Sequence, residues 1–256
     1  MVKARLIIYT ILCLSLIYGK EYSEKKLYDH YRPIVGWVQS SKGSGSGFLM
    51  NKDGLFVTAK HVVNILDVQI YIGDRVQEIE GIYWVNDPEL DLIFIKINTA
   101  GIDYKKRILF EKYRQVKVTD KIITIANPLN FEHTFSEGRV NNKIYYEDQK
   151  FILGSAEGSY GSSGGPVIKS NGKIIGMTLG LYNNKYQHIL PYDKILEGYK
   201  SSDYWSINQI NVLYNALNSS YKGNNISKLD KDSGNDKAAF TGCILLLGAF
   251  LLGMII

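Results

Sequence analysis

The 256-residue chain has only two cysteines, Cys13 and Cys243, and each lies inside an apolar run near one end. No cysteine pair remains for the segment between them, so core packing and not disulfides must hold that segment together. Histidine is scarce as well: His30, His61, His133 and His188 are the full set, and they and the carboxylates do not fall at metal-ligand spacing. No metal and no cofactor is expected. A strong charge of one sign is also missing. The 30 Lys and Arg stand against 25 Asp and Glu, for a net charge of +5 with no dense basic run, which argues against a nucleic-acid partner. No internal repeat is visible.

At 45% hydrophobic content the chain can build one large all-β domain or two small ones. Its most informative stretch is Gly161-Ser162-Ser163-Gly164-Gly165-Pro166. A serine in acyl transfer needs its own backbone N–H, and one from just upstream, aimed at the oxygen that becomes negative. Glycine at 161 permits the positive φ such a turn requires, and glycines at 164 and 165 let a substrate backbone approach. The same letters fit Gly-X-Ser-X-Gly, the nucleophile elbow, but there the acid and then the histidine follow the serine. Here His188 is the only histidine after Ser163, and no acid lies between them.

Upstream lie Thr58-Ala59-Lys60-His61-Val62-Val63 and Asp87-Pro88-Glu89-Leu90-Asp91-Leu92-Ile93. Histidine, aspartate, serine is the chain order of the chymotrypsin arrangement. Asp91 begins an apolar strand, where a carboxylate can be buried against an imidazole and stay ionised through hydrogen bonds. Asp87 and Glu89 are nearby competitors in a turn.

With these blocks, and with Ser44-Gly45-Ser46-Gly47-Phe48, Ala126-Asn127-Pro128-Leu129, Ser136-Glu137-Gly138-Arg139-Val140 and Ile189-Leu190-Pro191, the chain resembles the trypsin-like serine proteases, in particular their HtrA/Deg branch, over about residues 43–195. The resemblance implies Ser163 as nucleophile, His61 as general base and acid, Asp91 as the group that orients the imidazole, and the amides of Gly161 and Ser163 as the oxyanion hole. The lack of a cysteine pair fits this branch better than disulfide-rich animal trypsins. Ser162 stands where zymogen-activated trypsins carry an aspartate, so activation by propeptide cleavage is not implied.

The expected fold is all-β, two six-stranded antiparallel barrels with a C-terminal helix and apolar ends. Strands are predicted at 34–39, 47–50, 55–58, 68–72, 76–83 and 92–97 for the first barrel. A connection at 100–107 leads to a second barrel from 115–118, 121–125, 135–144, 151–153, 166–168, 174–181 and 188–190. A short helix over 23–31, capped by Ser23 with Leu27 and Tyr28 facing inward, precedes them.

By resemblance the primary substrate pocket involves Glu157, Tyr160, Thr178, Leu179 and His188. Glu157 suits a basic side chain and His188 an acidic or amide one, while relatives of this type take small or medium apolar residues. His30 and His133 receive no role.

Residues 1–19, with Lys3, Arg5 and an apolar run from 6 to 18, read as a signal peptide. Ile17 makes a poor cleavage position, which keeps an uncleaved anchor open. The protease domain spans 20–199 and a helix 200–217, capped at Asp203 or Ser206. Residues 218–237 read as a polar stalk, and 238–256 as a transmembrane segment or a GPI signal. No room is left for the PDZ domain common in HtrA proteins. The implied product is an exported, membrane-tethered serine endopeptidase acting on proteins or peptides. The competing readings are a catalytically silent surface-binding protein of the same fold, and an esterase or a protease that cuts only its own chain.

Overall fold

The computed structural model describes residues 21–104, 108–128, 133–146 and 149–222. The expected signal peptide and terminal apolar run lie outside them, as does the stalk beyond residue 222. Helix α1 (Glu24–Tyr31) starts where Ser23 accepts the Lys26 N–H, satisfying one of the first-turn donors. Leu27 and Tyr31 are its buried residues. Tyr28 packs against the core from a half-buried position as expected, and Tyr31 is buried more deeply, its hydroxyl reaching the Gly172 carbonyl at 2.6 Å.

The first lobe contains β1 (Val35–Ser40), β2 (Gly43–Leu49), β3 (Leu55–Thr58), β4 (Gln69–Ile72), β5 (Arg75–Val76), β6 (Ile79–Val85) and β7 (Ile93–Ile97). β3 and most of β2 and β7 are buried on both faces, in a core where Phe48, Phe56 and Phe94 are fully buried. Where a closed six-stranded barrel was expected, the lobe is a half-barrel: β6-β7-β3-β2-β1-β4-β5 run in that order in an eight-stranded sheet whose eighth strand, from later in the chain, lies beside β6. The reason lies in what occupies the edges. β14 (Ser202–Ser206) returns from the C-terminal side and pairs with five of the seven residues of β6, from Ser202↔Val85 to Ser206↔Gly81. This satisfies the edge that closure would need, while β5 is a two-residue exposed ribbon at the other edge.

The second lobe is a closed six-stranded barrel, as expected, in the order β10-β13-β12-β11-β8-β9. Its strands are β8 (Lys121–Ala126), β9 (Thr134–Tyr146), β10 (Gln149–Gly154), β11 (Pro166–Lys169), β12 (Ile174–Tyr182) and β13 (Tyr186–Pro191). Branched residues fill it: Ile122, Val140, Ile152, Val167, Ile175 and Ile189 pack together, the side chains that suit a pleated, two-sided surface. The predicted strand over 115–118 is not formed. A 3₁₀ turn at Tyr113–Gln115 stands before Val116, which points into the barrel. After β13, α2 (Tyr192–Lys200) leads to β14, and α3 (Ile207–Lys222) follows. Ser206 caps α3 by accepting the Gln209 N–H at 3.3 Å, the cap expected at one of two positions. The residues before it, which read from the sequence as the start of that helix, are drawn into β14 by pairing with β6.

Candidate active site

His61 sits in a 3₁₀ turn (Lys60–Val62) directly after β3, and Asp91 lies just before β7, the strand paired with β3. Strand pairing therefore brings the two residues together across thirty positions of chain. Asp91 Oδ2 lies 2.6 Å from His61 Nδ1, and Asp91 Oδ1 accepts the His61 backbone N–H at 2.9 Å. An ionised carboxylate only accepts, so the shared ring proton is assigned to Nδ1, which leaves Nε2 as the basic nitrogen.

Burial pushes the Asp91 carboxyl upward. The hydrogen bonds from the His61 ring and backbone, with the nearby Lys60 charge, outweigh it and hold Asp91 below the usual carboxylate range. Lys60 is itself placed by a bond to the Pro88 carbonyl at 3.0 Å and by the Trp84 ring. Asp87 and Glu89, the competing acids, are exposed, and Asp87 is engaged with the Glu89 N–H.

Ser163 lies in the loop between β10 and β11. Gly161 and Gly164 have φ of +93° and +92°, so this loop uses the conformational freedom for which glycine is required. Among the described residues, neither the Gly161 N–H nor the Ser163 N–H donates a hydrogen bond. Ser163 Oγ donates to the Leu179 carbonyl at 3.1 Å, and among the described residues it makes no hydrogen bond to His61. Ser162 is buried, and its hydroxyl accepts the Ser159 N–H at 3.2 Å.

The expected pocket residues are dispersed. Glu157 lines a cavity of about 370 Å³ at the mouth of the closed barrel, with Thr124, Ala156, Ser159, Ser162 and Leu181. Tyr160 is exposed beside Gly43. Thr178 is fully buried, and its hydroxyl accepts the Gln187 side-chain amide at 2.8 Å. Leu179 contributes the carbonyl that holds Ser163. His188 is half-buried with its ring 4.2 Å from that of Phe151, and its Nε2 is buried without a partner. Burial lowers its pKa, opposed by the Asp91 charge.

His133 binds the Asn127 side chain and faces the Val35 carbonyl, and the His30 ring stacks edge-on to Tyr31. No group of three or more His, Cys or carboxylates is placed to hold a metal among the described residues. Ser46, which binds the Gly161 carbonyl of the Ser163 loop, and Asn127, which donates to the Ser46 hydroxyl and the Gly36 carbonyl, are site residues that the sequence reading does not single out. Both stand in blocks that carry the family resemblance, and nothing in those letters says what they bind.

The two packed β-lobes, the closed barrel and the His-Asp pair define the double-barrel peptidase class. The model of the trypsin-like peptidase domain matches residues 45–177, more than half of the chain, which belongs to that family. A probable periplasmic serine endoprotease, DegP-like, of Brucella suis is 28% identical over 163 residues, 60% of this chain and 29% of that protein. One of Chlamydia pneumoniae with the same description is 30% identical over 154 residues, 57% and 30% of the two chains. The chain thus spans about three-tenths of the length of these curated relatives. Among solved structures, the serine endoprotease of Yersinia pestis superposes with a TM-score of 0.59 at 22% identity, over 70% of this chain and 65% of that one. An M. tuberculosis protease in its inactive form gives 0.58 at 21% identity, over 67% and 90%.

Proposed function

We propose that the chain is a serine endopeptidase using Ser163, His61 and Asp91 through an acyl-enzyme intermediate. The observation that carries the reading is the two-point hold of Asp91 on His61, which presents Nε2 as base toward a serine whose flanking N–H groups are unspent. In the resting arrangement Ser163 Oγ is held by Leu179 O. The reaction requires Oγ to leave that carbonyl for Nε2, a tightening that unliganded active sites commonly await.

Oγ then attacks the peptide carbonyl carbon while its proton passes to Nε2. The carbonyl oxygen, now negative, accepts from the N–H groups of Gly161 and Ser163. The C–N bond breaks as the imidazolium gives its proton to the leaving amine. Water repeats the sequence on the acyl-enzyme, restoring Ser163 and releasing the carboxylic acid. Asp91 holds the ring and stabilises the imidazolium without taking the proton.

The side chain preceding the scissile bond enters the cavity lined by Glu157, Ala156 and Leu181. Its wall is mixed, with Ala126, Phe135, Ala156 and Leu181 among serine and threonine side chains, and its apolar part suits a small or medium aliphatic group. The relatives described as periplasmic and the apolar run at 6–18 behind Lys3 and Arg5 support export. The run at 238–256 would tether the domain to a membrane. No helix among the described residues is long and apolar enough to cross one.

The test is labelling of the full chain with a fluorophosphonate, beside Ser163→Ala. Labelling of the wild type and not of the variant is expected. A folded wild type that takes no label, and cleaves no peptide in a library, overturns the reading in favour of a silent binding protein.

A further inference from the structure

Ser46 is fully buried in β2, and all of its polar atoms are spent. Its N–H donates to the Ser163 carbonyl at 2.7 Å. Its hydroxyl donates to the Gly161 carbonyl at 2.8 Å and accepts the Asn127 N–H at 2.8 Å. Its carbonyl accepts the Thr58 hydroxyl at 2.6 Å. Three of these bonds reach residues of the second lobe. The fourth reaches the end of β3, three residues before His61.

Gly161 and Ser163 are the two residues whose N–H groups the proposed mechanism needs, and Ser46 is bonded to the carbonyl of each. A peptide unit is planar, so fixing the Gly161 carbonyl fixes the plane that joins Gly161 to Ser162. That plane is anchored at its other side, where the Ser162 N–H donates to Ser159 O. Fixing the Ser163 carbonyl fixes the plane that joins Ser163 to Gly164, whose N–H donates to Thr178 O at 2.7 Å, so the Ser162–Ser163 unit that carries the Ser163 N–H is held between two anchored planes. The fit is close: a Cβ on Gly164 would lie 1.8 Å from the Ser46 carbonyl oxygen, and one on Gly45 would lie 3.1 Å from the Ser163 carbonyl.

We infer that Ser46 is a positioning residue for the oxyanion site: its hydroxyl and N–H clamp the loop of the second lobe so that the Gly161 and Ser163 N–H groups converge. The same residue, through Thr58, keys that loop to the strand delivering His61. This rests on the serine-peptidase reading above. Its chemistry requires a hydroxyl, because the Gly161 carbonyl needs a donor and the Asn127 N–H needs an acceptor in one buried place, and a serine supplies both from one atom.

The experiment compares wild type, Ser46→Ala and Ser46→Cys. For each, kcat and KM on a peptide substrate are measured with the affinities of two inhibitors. One is a peptide boronic acid, whose tetrahedral adduct with Ser163 places an oxygen on the two N–H groups. The other is a product-like peptide that binds without forming the adduct. In Ser46→Ala, kcat and boronate affinity are expected to fall together by about 10–100-fold, below the loss from deleting an oxyanion donor outright. KM and product affinity stay within about twofold.

Ser46→Cys keeps a donor and acceptor at this position, weaker and bulkier than the hydroxyl, and falls between, and it carries the test alone if Ser46→Ala does not fold. Wild-type kcat in whichever variant folds overturns the inference. So does an equal loss of boronate and product affinity, which marks a general structural effect. A wild type that neither cleaves nor labels sinks the peptidase reading itself, and this inference with it. An active wild type with an unaffected variant sinks only the role of Ser46.

Discussion

Asp91 holds His61 at two points, one oxygen 2.6 Å from the ring Nδ1 and the other accepting the backbone N–H at 2.9 Å. A single bond would leave the ring free to tilt about it, whereas the pair fixes both the tautomer and the place of the turn that carries the residue. Asp91→Asn preserves the shape but offers an amide where the ring nitrogen donates, so the imidazole turns to the wrong tautomer. The expected result is a loss of kcat of about 10³–10⁴-fold with the unfolding midpoint nearly unchanged. Stopped peptide hydrolysis with unaltered thermal denaturation would confirm it, and kcat within tenfold of wild type would contradict the pairing as the catalytic one.

The contact between Gly164 and Ser46 predicts a second result. Gly164→Ala forces a side chain into φ +92° and against Ser46 O at 1.8 Å and the Thr58 hydroxyl at 2.6 Å. Gly73 is a natural control, since it has φ +57° with nothing within 4 Å of the added carbon. Gly73→Ala should cost about 1 kcal/mol, the penalty of the left-handed conformation alone. Gly164→Ala should cost at least about 2 kcal/mol and remove activity. Urea unfolding of the two variants checks the order, and equal losses would show that the clash relaxes.

Much of this arrangement was legible in the chain. Of the order His61, Asp91, Ser163, the pairing of the first two is seen in the fold, because strands bounded by turn residues put His61 after β3 and Asp91 before β7, and those strands pair. The glycine at 161 announced its positive φ, whereas Gly164, read as making room for a substrate backbone, has positive φ as well and makes room for Ser46 and Thr58 of the first lobe.

The open first sheet was not legible. Residues 202–206 carry no strand signal that outweighs the helical spacing following them, and only the free edge of β6 recruits them. Nor were the pocket positions. Thr178 and His188 sit on neighbouring strands whose bulge, at the register shift between Thr178 and Gly180, decides which face each presents. No local pattern encodes that.

Glu111 sets a third expectation. It is nearly buried where the connector between lobes meets the second barrel. There it binds Lys169, accepts the Asn171 amide at 2.8 Å and faces Lys173 at 3.5 Å. Burial raises its pKa, and the bonds from Lys169 and Asn171 with the two lysine charges more than reverse this, so it lies below its ordinary 4.5. A depressed carboxyl stabilises the fold above the unfolded pKa, and that stability drains as pH falls through the folded value. Glu111→Gln leaves Lys169 with Asp120 alone at 3.2 Å, and should cost about 2–4 kcal/mol near neutral pH. The difference from wild type should shrink as the medium is acidified to about pH 3. Chemical unfolding at both pH values is the measurement, and a difference independent of pH would assign the effect to packing.

His188 loses stability in the same direction for the opposite reason, since burial disfavours its charged form. Its ring lies against Phe151 and near Tyr182, with a buried Nε2 that has no acceptor, and burial lowers its pKa from 6.5 while the Asp91 charge partly opposes the shift. The unfolded chain therefore binds a proton more readily than the fold does. Stability from this group is constant above the unfolded value, falls as pH drops below about 6.5, and levels once the folded ring also charges. His188→Phe keeps an aromatic ring beside Phe151 and removes the titration. Its unfolding free energy should change less than that of the wild type between about pH 7.5 and about pH 5. Parallel profiles for the two proteins would mean that the ring charges in place at no cost. The Asp91 carboxylate would then have drawn the proton in, and lowering the pH would place a second cation beside the His61 pair.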